Sequence, residues 1–364
     1  MNRTPLASLH EARGAQWMEH QGWEIPAYYS SVQEEYEALQ EGVALVDFSF
    51  RGKLRVTGRD RRTWLHGQVT QDVNGLPDGH GAYAAVLSPK GRMVSDLRLF
   101  ALPDALLADF PAEPAEPLIP YLDRYLIMER AEIEDLTASH ALLSLQGPQA
   151  CCAVISVVGD EVAELRPWEM KEITYRDEPL YVNRVSHCGE DAFDLWVPAH
   201  GAPSLWAALS TRRPDYAVFS VGWEAINIRR TEAGLPWWGA ELDGSTVPPE
   251  ARLEHAVSYE KGCYVGQEII ARIHARGHVN NLLAGFHVEG ALPERGAEIR
   301  AEGKPVGRVT TALHSLRLDR PIALGYLRRE HQETGTRLTV DTPQGPSTLV
   351  VTSLPFVPHD YPTP

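Results

Sequence analysis

Cysteine is scarce in this sequence of 364 residues, which contains only Cys151, Cys152, Cys188 and Cys263. Two of the four are adjacent, and so few cannot build the disulfide framework that is typical of small secreted proteins. We therefore expect reduced thiols. In that setting, a cysteine in an exposed loop would be chemically available.

Long apolar runs and an excess of positive charge are also missing. No stretch approaches the roughly 18 consecutive apolar residues of a membrane helix, and residues 1–16 lack the apolar centre of a signal peptide. The chain has 34 basic and 49 acidic residues, a net charge of −15, which argues against nucleic-acid binding through a broad basic face. We expect a cytoplasmic protein that binds neither membrane nor nucleic acid.

The order of the predicted elements favours an α+β fold with mixed and antiparallel sheets. Residues 31–42 have the spacing of a helix, residues 81–102 that of a hairpin, and residues 248–260 also look helical. From residue 279, short alternating strands with frequent glycine and proline predict a small β-barrel. The predicted domains are residues 1–278, with α+β subdomains at about 50–138 and 139–278 and residues 1–49 packing on the second, and a barrel over 279–364.

The segment "KGCYVGQE", residues 261–268, places Cys263 between two glycines and just before a helical pattern. A helix N-terminus and the neighbouring Lys261 would both favour the thiolate form of the cysteine. The alternative is a structural cysteine that behaves as a small apolar residue. The residues alone leave both interpretations open.

Other chemistries have less support. Cys263, His274 and His278 follow one another closely, but zinc sites usually take paired ligands from two clusters, and the neighbouring Arg272 and Arg276 would repel a cation. We therefore predict no metal site. The sequence contains no G-x-S-x-G, no P-loop and no dinucleotide fingerprint, which argues against a serine hydrolase or a nucleotide-binding fold.

Two carboxylates lie among apolar residues of predicted strands: Asp96 in "MVSDLRLF" and Asp194 in "AFDLWVP". Acidic residues on strands usually face solvent. One that points inward needs a partner or a raised pKa, and a ligand with paired N–H donors would satisfy it.

Longer motifs carry a family resemblance that spans nearly the whole chain. The segments "LLSLQGPQA", "PKGRMVSDLRLF", "SHCGEDAFDLWVP" and "EAGLPWWGAELDGSTVPPEARL" resemble the folate-binding T protein (aminomethyltransferase) family of the glycine cleavage system. The segment "KGCYVGQE" resembles the signature of the YgfZ branch of this superfamily, folate-binding proteins implicated in maintaining iron–sulfur enzymes. T proteins usually carry an acidic residue where this chain has Cys263.

The resemblance implies a tetrahydrofolate site lined by Tyr83, Asp96 and Asp194. Asp96 matches an acid beside the reactive part of the folate, and Tyr83 matches a nearby tyrosine. Asp194 stands where T proteins have a glutamate that holds the amino and ring N–H donors of the pterin. The folate-contacting arginine of the family aligns on Ile226, which puts aminomethyl transfer in doubt.

The interpretation that we favour from the sequence is a tetrahydrofolate-binding accessory protein for iron–sulfur enzymes, with Cys263 and Asp96 as catalytic residues and iron–sulfur client or assembly proteins as partners. Its signature loop comprises Lys261, Gly262, Cys263, Tyr264, Gly266, Gln267 and Glu268. One alternative is a tetrahydrofolate-dependent aminomethyltransferase. Another is a folate-binding module without turnover.

Overall fold

The structure, a computed structural model, describes residues 1–211, 213–359, 361 and 362. The helices in this part of the chain are α1 Ala7–Ala12, α2 Val32–Glu41, α3 Arg61–His66, α4 Leu118–Asp123, α5 Ala150–Val158, α6 Ala202–Leu209, α7 Trp223–Glu232 and α8 Gln267–Arg276.

The strands are β1 Asn2–Arg3, β2 Gln16–His20, β3 Trp23–Tyr28, β4 Val43–Asp47, β5 Gly52–Thr57, β6 Gly81–Leu87, β7 Met93–Ala101, β8 Leu106–Phe110, β9 Glu132–Asp135, β10 His140–Gln146, β11 Met170–Tyr175, β12 Glu178–Asn183, β13 Ala192–Pro198, β14 Val218–Ser220, β15 Asn281–Glu289, β16 Glu298–Ala301, β17 Lys304–Ser315, β18 Arg320–Arg328, β19 Arg337–Thr342 and β20 Gly345–Thr352.

These strands form three sheets and a closed barrel within the described ranges. A small sheet has the order β1-β3-β2, a larger one β11-β12-β13-β10-β4-β14, and a third β6-β7-β8-β5-β9. Most neighbours are antiparallel, while β14 runs parallel to β4 and β1 parallel to β3. Strands β15 to β20 close the barrel in the order β15-β18-β17-β16-β19-β20. The predicted α+β class with mixed sheets and a C-terminal barrel is confirmed.

The predicted helix over residues 31–42 is confirmed as α2. The Ser31 side chain accepts a hydrogen bond from the Glu34 amide at 3.2 Å, which caps the first turn. Tyr36 and Leu39 are buried on one face, and Gly42 follows the last helical residue. Local sequence signals therefore define both ends of this helix.

The predicted helix over residues 248–260 is wrong. Two short 3₁₀ turns, Pro248–Ala251 and Glu254–Ala256, are separated by Arg252, whose φ of 60° is left-handed. An α-helix cannot continue through that conformation. The Arg252 side chain donates to the Leu283 carbonyl at 2.7 Å, so contact with the barrel holds the segment in its bent path.

The barrel is joined to α7 and the loop after it by a buried carboxylate. Glu241 Oε1 accepts hydrogen bonds from the hydroxyls of Thr310 and Thr311 on β17, at 3.0 and 2.5 Å. Its Oε2 accepts from Arg230 of α7 at 2.6 Å. Because both oxygens of this buried carboxylate have hydrogen-bond partners, it holds the barrel and the segment that contains α7 in a fixed relative position.

No helix in the described ranges is both long enough and apolar enough to span a membrane.

Candidate functional site

A cleft lies where side chains from the β6–β7 hairpin meet side chains from the end of β12 and from the irregular segment after α7. Its cavity volume is about 90 Å³. The lining residues are Tyr83, Arg98, Trp168, Ser186, His187, Gly189, Leu235, Pro236, Trp237, Leu253, His255, His359, Tyr361 and Pro362.

Tyr83 and Asp96 form a hydrogen-bonded pair in one wall. In the register of the hairpin Ala85 lies opposite Asp96, which makes Tyr83 and Asp96 diagonal neighbours on one face. The Tyr83 hydroxyl donates to Asp96 Oδ2 at 2.9 Å, and burial followed by the nearby Asp96 charge raises the pKa of Tyr83 well above 10. Asp96 is only 4% exposed, and its Oδ1 has no hydrogen-bond partner among the described residues. This oxygen therefore keeps its capacity to accept a hydrogen bond or a proton.

Asp194 is paired with a histidine that the sequence analysis did not identify. His187 follows β12, and its Nε2 lies 2.8 Å from Asp194 Oδ2 on β13. Both side chains are at most 1% exposed. Burial raises the pKa of Asp194 to about 7, against the opposing effects of the Ser144 hydroxyl, Arg98 and Arg51. Burial, assisted by Arg98 and Arg51, lowers the pKa of His187 well below its ordinary value.

Tyr83 and His187 line the cleft, whereas Asp96 and Asp194 lie behind them. The structure therefore brings the three predicted binding residues to one place, with the two acids as partners of lining residues. The one signal for His187 in the sequence is its position in "SHCGEDAFD", a few residues before Asp194.

A buried cationic group also borders the cleft. The Arg98 guanidinium lies 3.2 Å from Asp109 Oδ1, and Arg51 bonds the same oxygen. Both guanidinium groups lie near the Trp237 ring, 5.8 and 5.4 Å from its centroid. Burial lowers the pKa of Arg98, but Asp109 and Asp96 outweigh burial and hold it above its ordinary value. The cleft thus has a fixed positive charge beside its two carboxylates.

Flat side chains form the remaining walls. Tyr83 stacks with His255 at a ring distance of 5.7 Å and an angle of 26°, and Trp168 lies 6.4 Å from Tyr83. The Trp168 indole N–H donates to the Pro362 carbonyl at 3.3 Å, so the C-terminal segment braces this wall. Such a cleft fits a planar ring with hydrogen-bonding edges, because aromatic faces contact the ring and partnerless polar atoms remain for its edges.

Lys261 anchors the loop of residues 261–268. Its ammonium donates to the carbonyls of Val69 and Gln71 at 2.7 and 2.9 Å, and to that of His66, the last residue of α3. Burial lowers the pKa of Lys261 to about 8. The ammonium therefore holds the loop against the turn after α3, a structural task that the sequence did not indicate.

Cys263 is exposed and does not belong to the lining of the cleft. The predicted helix after it is confirmed as α8, which starts at Gln267 after the left-handed Gly266. Gln267 Oε1 accepts the Tyr264 amide at 3.1 Å, and Glu268 pairs on the surface with Arg272 at 2.9 Å. The structure thus separates Cys263 from Tyr83, Asp96 and Asp194, and its reactivity stays a prediction.

Ile226 lies on α7 and is fully buried in the hydrophobic core. The two arginines that follow are engaged elsewhere: Arg229 bonds Glu190 at 2.7 Å and Arg230 bonds Glu241 at 2.6 Å. The position that aligns with the folate-contacting arginine of T proteins therefore contributes packing rather than charge.

Comparisons with known proteins cover almost the whole chain. Residues 6–261 match the GCVT N-terminal domain, and residues 282–358 match the glycine cleavage T-protein C-terminal barrel domain. The chain is 29% identical over 358 residues to an aminomethyltransferase of Halalkalibacterium halodurans, with 98% of each chain covered. It is 32% identical to an aminomethyltransferase of Rubrobacter xylanophilus, over 98% of this chain and 94% of that one.

A solved structure agrees with these matches. The glycine cleavage system aminomethyltransferase T from Bartonella henselae superposes with a TM-score of 0.91 at 27% identity, covering 99% of each chain. The relatives and the structure named here are aminomethyltransferases, so they favour the alternative interpretation of the sequence, and the YgfZ branch stays a prediction. The two domain matches together cover most of the chain, and the chain belongs to the glycine cleavage T-protein family.

Proposed function

We propose that this protein binds tetrahydrofolate in the cleft and transfers a one-carbon unit to it from an aminomethyl donor. The observation that carries the proposal is the Tyr83–Asp96 pair, because it places a buried carboxylate with one free oxygen beside a flat aromatic wall. The relatives named aminomethyltransferase support the same reaction class.

Binding would use the walls and the polar edges of the cleft. Tyr83, His255 and Trp168 would present ring faces to the pterin. His187, backed by Asp194, would face its hydrogen-bonding edge. Bound tetrahydrofolate would supply the nitrogen atoms that accept the one-carbon unit, while the donor loses ammonia and its sulfur carrier as the carbon–nitrogen and carbon–sulfur bonds break.

Asp96 would handle the proton. Its Oδ2 is held by the Tyr83 hydroxyl, so Oδ1 is the oxygen that can accept a proton from a reacting amine. Arg98 lies close enough to Asp96 for the carboxylate to raise the pKa of the guanidinium. The apolar side chains of Leu235, Pro236 and Leu253 exclude water from this part of the cleft, which protects a reactive one-carbon unit from hydrolysis.

The test is a turnover assay. Purified protein is incubated with tetrahydrofolate and an aminomethyl-lipoyl donor, and methylene-tetrahydrofolate is measured, with the Asp96→Asn variant as the control. We expect product from the wild type and a large loss in the variant. Folate binding without turnover would identify a non-catalytic binding module, and absence of folate binding would overturn the proposal as a whole.

A second candidate function is that of a folate-dependent accessory protein for iron–sulfur enzymes. The observation that favours it is the exposed Cys263 on a loop that the buried Lys261 ammonium holds in place. Ile226 in the core weighs in the same direction, since the position provides no charge for a folate. In this role the thiol at Cys263 would meet an iron–sulfur client or assembly protein at the surface.

Complementation separates the two candidates. Cells that lack the protein would receive the wild type, Cys263→Ser, or Cys152→Ser as a matched control, because Cys152 is a second exposed cysteine far along the chain on α5. The accessory role predicts that only Cys263→Ser fails to restore iron–sulfur enzyme activity. Full restoration by Cys263→Ser, together with loss of glycine cleavage in the uncomplemented cells, would leave the transferase as the function.

A further inference from the structure

The cleft contains a histidine–carboxylate pair whose geometry leaves one ring nitrogen for a ligand. His187 lines the cleft and is 2% exposed, and its Nε2 is engaged by Asp194 at 2.8 Å. Its Nδ1 has no hydrogen-bond partner among the described residues. A buried polar atom of this kind costs free energy unless a ligand satisfies it.

The ring is held so that Nδ1 cannot exchange places with Nε2. Phe48 packs against it at a ring distance of 4.2 Å, and Trp237 lies 6.3 Å away. The His187 amide points to Gln146 Oε1, at 3.4 Å, on the neighbouring strand β10. The packed ring therefore presents Nδ1 in one fixed position.

The proton content of the pair decides what Nδ1 offers. With one proton, Nε2–H donates to the Asp194 carboxylate and Nδ1 is a bare acceptor. A second proton on His187, or on Asp194 Oδ2 where it donates to Nε2, leaves a hydrogen on Nδ1, which then becomes a donor. Protonation at the Nε2–Oδ2 contact thus changes Nδ1 from an acceptor to a donor.

We propose that Nδ1 of His187, oriented by Asp194, accepts a hydrogen bond from an N–H on the amino-oxo edge of the pterin. The histidine then contacts this edge directly, and the carboxylate does not. This inference rests on the proposed function, since it names the recognition element of the same cleft. It makes Asp194 a positioning residue and His187 the residue that contacts the ligand.

The surroundings set the pH at which the pair changes state. Burial lowers the pKa of His187 most, Arg98 on β7 and Arg51 after β4 lower it further, and Asp109 on β8 raises it. Tyr361 also lies near Asp194. Burial raises the pKa of Tyr361 most, and the charges of Asp191 and Asp194 raise it further. Since the pKa of Asp194 lies at about 7, a ligand that needs the acceptor form should bind about tenfold more tightly at pH 8 than at pH 6.

The experiment measures the dissociation constant of 5-formyltetrahydrofolate, a stable probe, by calorimetry at pH 6, 7 and 8. His187→Asn carries an amide oxygen close to the position of Nδ1 and does not titrate, so we expect it to bind with a flat pH profile. His187→Gln reaches toward Asp194 instead and leaves no acceptor at that position, so we expect at least a tenfold loss. His10→Asn is the matched control, because His10 and Asp47 form a second buried pair, at 2.9 Å, outside the cleft.

The outcomes are distinguishable. A wild type that binds no folate overturns the proposed function itself. A wild type that binds, with His187→Asn retaining the tenfold pH dependence or His187→Gln binding normally, overturns the role of His187. If His187→Gln does not fold, Asp194→Asn serves instead, and an unchanged pH profile in that variant contradicts the inference.

Discussion

The contribution of Asp96 can be separated into binding and turnover by the substitution Asp96→Asn. The asparagine keeps the shape and can still accept from Tyr83, but it removes the charge that a proton acceptor needs. The Tyr83–Asp96 bond is buried and 2.9 Å long, and a bond of this kind to a charged acceptor contributes about 1.5–3 kcal/mol, against about 1 kcal/mol for a neutral pair. Replacing one by the other therefore costs about 0.5–2 kcal/mol, so any resulting loss of ligand affinity should not exceed about thirtyfold.

Turnover should fall much further. A positioned general base contributes about 10²–10⁴ to the rate, equivalent to roughly 3–5.5 kcal/mol of the barrier. The assay is single-turnover formation of methylene-tetrahydrofolate, alongside folate affinity measured on the same samples. Tyr83→Phe and the double variant complete a cycle, and we expect the two single effects on turnover to be strongly non-additive, because the residues share one hydrogen bond.

Ser95→Ala is the matched control, since Ser95 is equally buried and its side chain leaves β7 on the opposite face, so turnover should stay within about twofold of wild type. The assignment of Asp96 as proton acceptor would be refuted if Asp96→Asn lost affinity and turnover by the same factor. In that case, the carboxylate would act only in binding.

Further predictions concern stability and the loop. Glu241→Gln should lower the free energy of unfolding, measured by urea denaturation, by about 2–4 kcal/mol. The reason is that the amide cannot accept hydrogen bonds from all of Thr310, Thr311 and Arg230. The control is Glu298→Gln, at a side chain that is 48% exposed, and it should change the free energy of unfolding by no more than about 1 kcal/mol. Lys261→Met should increase hydrogen exchange in residues 261–268, and unchanged exchange would contradict the anchoring role. Burial lowers the pKa of Lys261 from 10.5 to about 8. Between these two pH values the unfolded state binds more protons than the folded state, so the stability of the wild type should rise with pH from about 8 to 10.5. The Lys261→Met variant should lack this rise in stability.

The fold could be predicted largely from local patterns. The pattern in residues 81–102 predicts a hairpin, and the frequent turns after residue 279 predict a barrel, because strand pairing between neighbours in sequence needs little long-range information. The division into domains at about residues 138 and 278 stays a prediction, and residues 360, 363 and 364 of the predicted barrel domain lie outside the described part of the chain. The prediction of a helix over residues 248–260 was wrong because contact with the barrel outweighs the local helical preference of this segment.

By itself, the sequence determined the α+β class with its C-terminal barrel, the likeness to T proteins and, through that likeness, Tyr83, Asp96 and Asp194 as candidate ligands of a folate. Only the tertiary structure decided that both acids stand behind a lining partner, that Lys261 bonds backbone carbonyls and that Cys263 lies outside the cleft. The physical reason is that periodicity reports which face of an element is buried, whereas hydrogen-bond partners are chosen by the packing of elements distant in sequence. Burial then shifts the pKa of Asp194 to about 7, which no local pattern encodes.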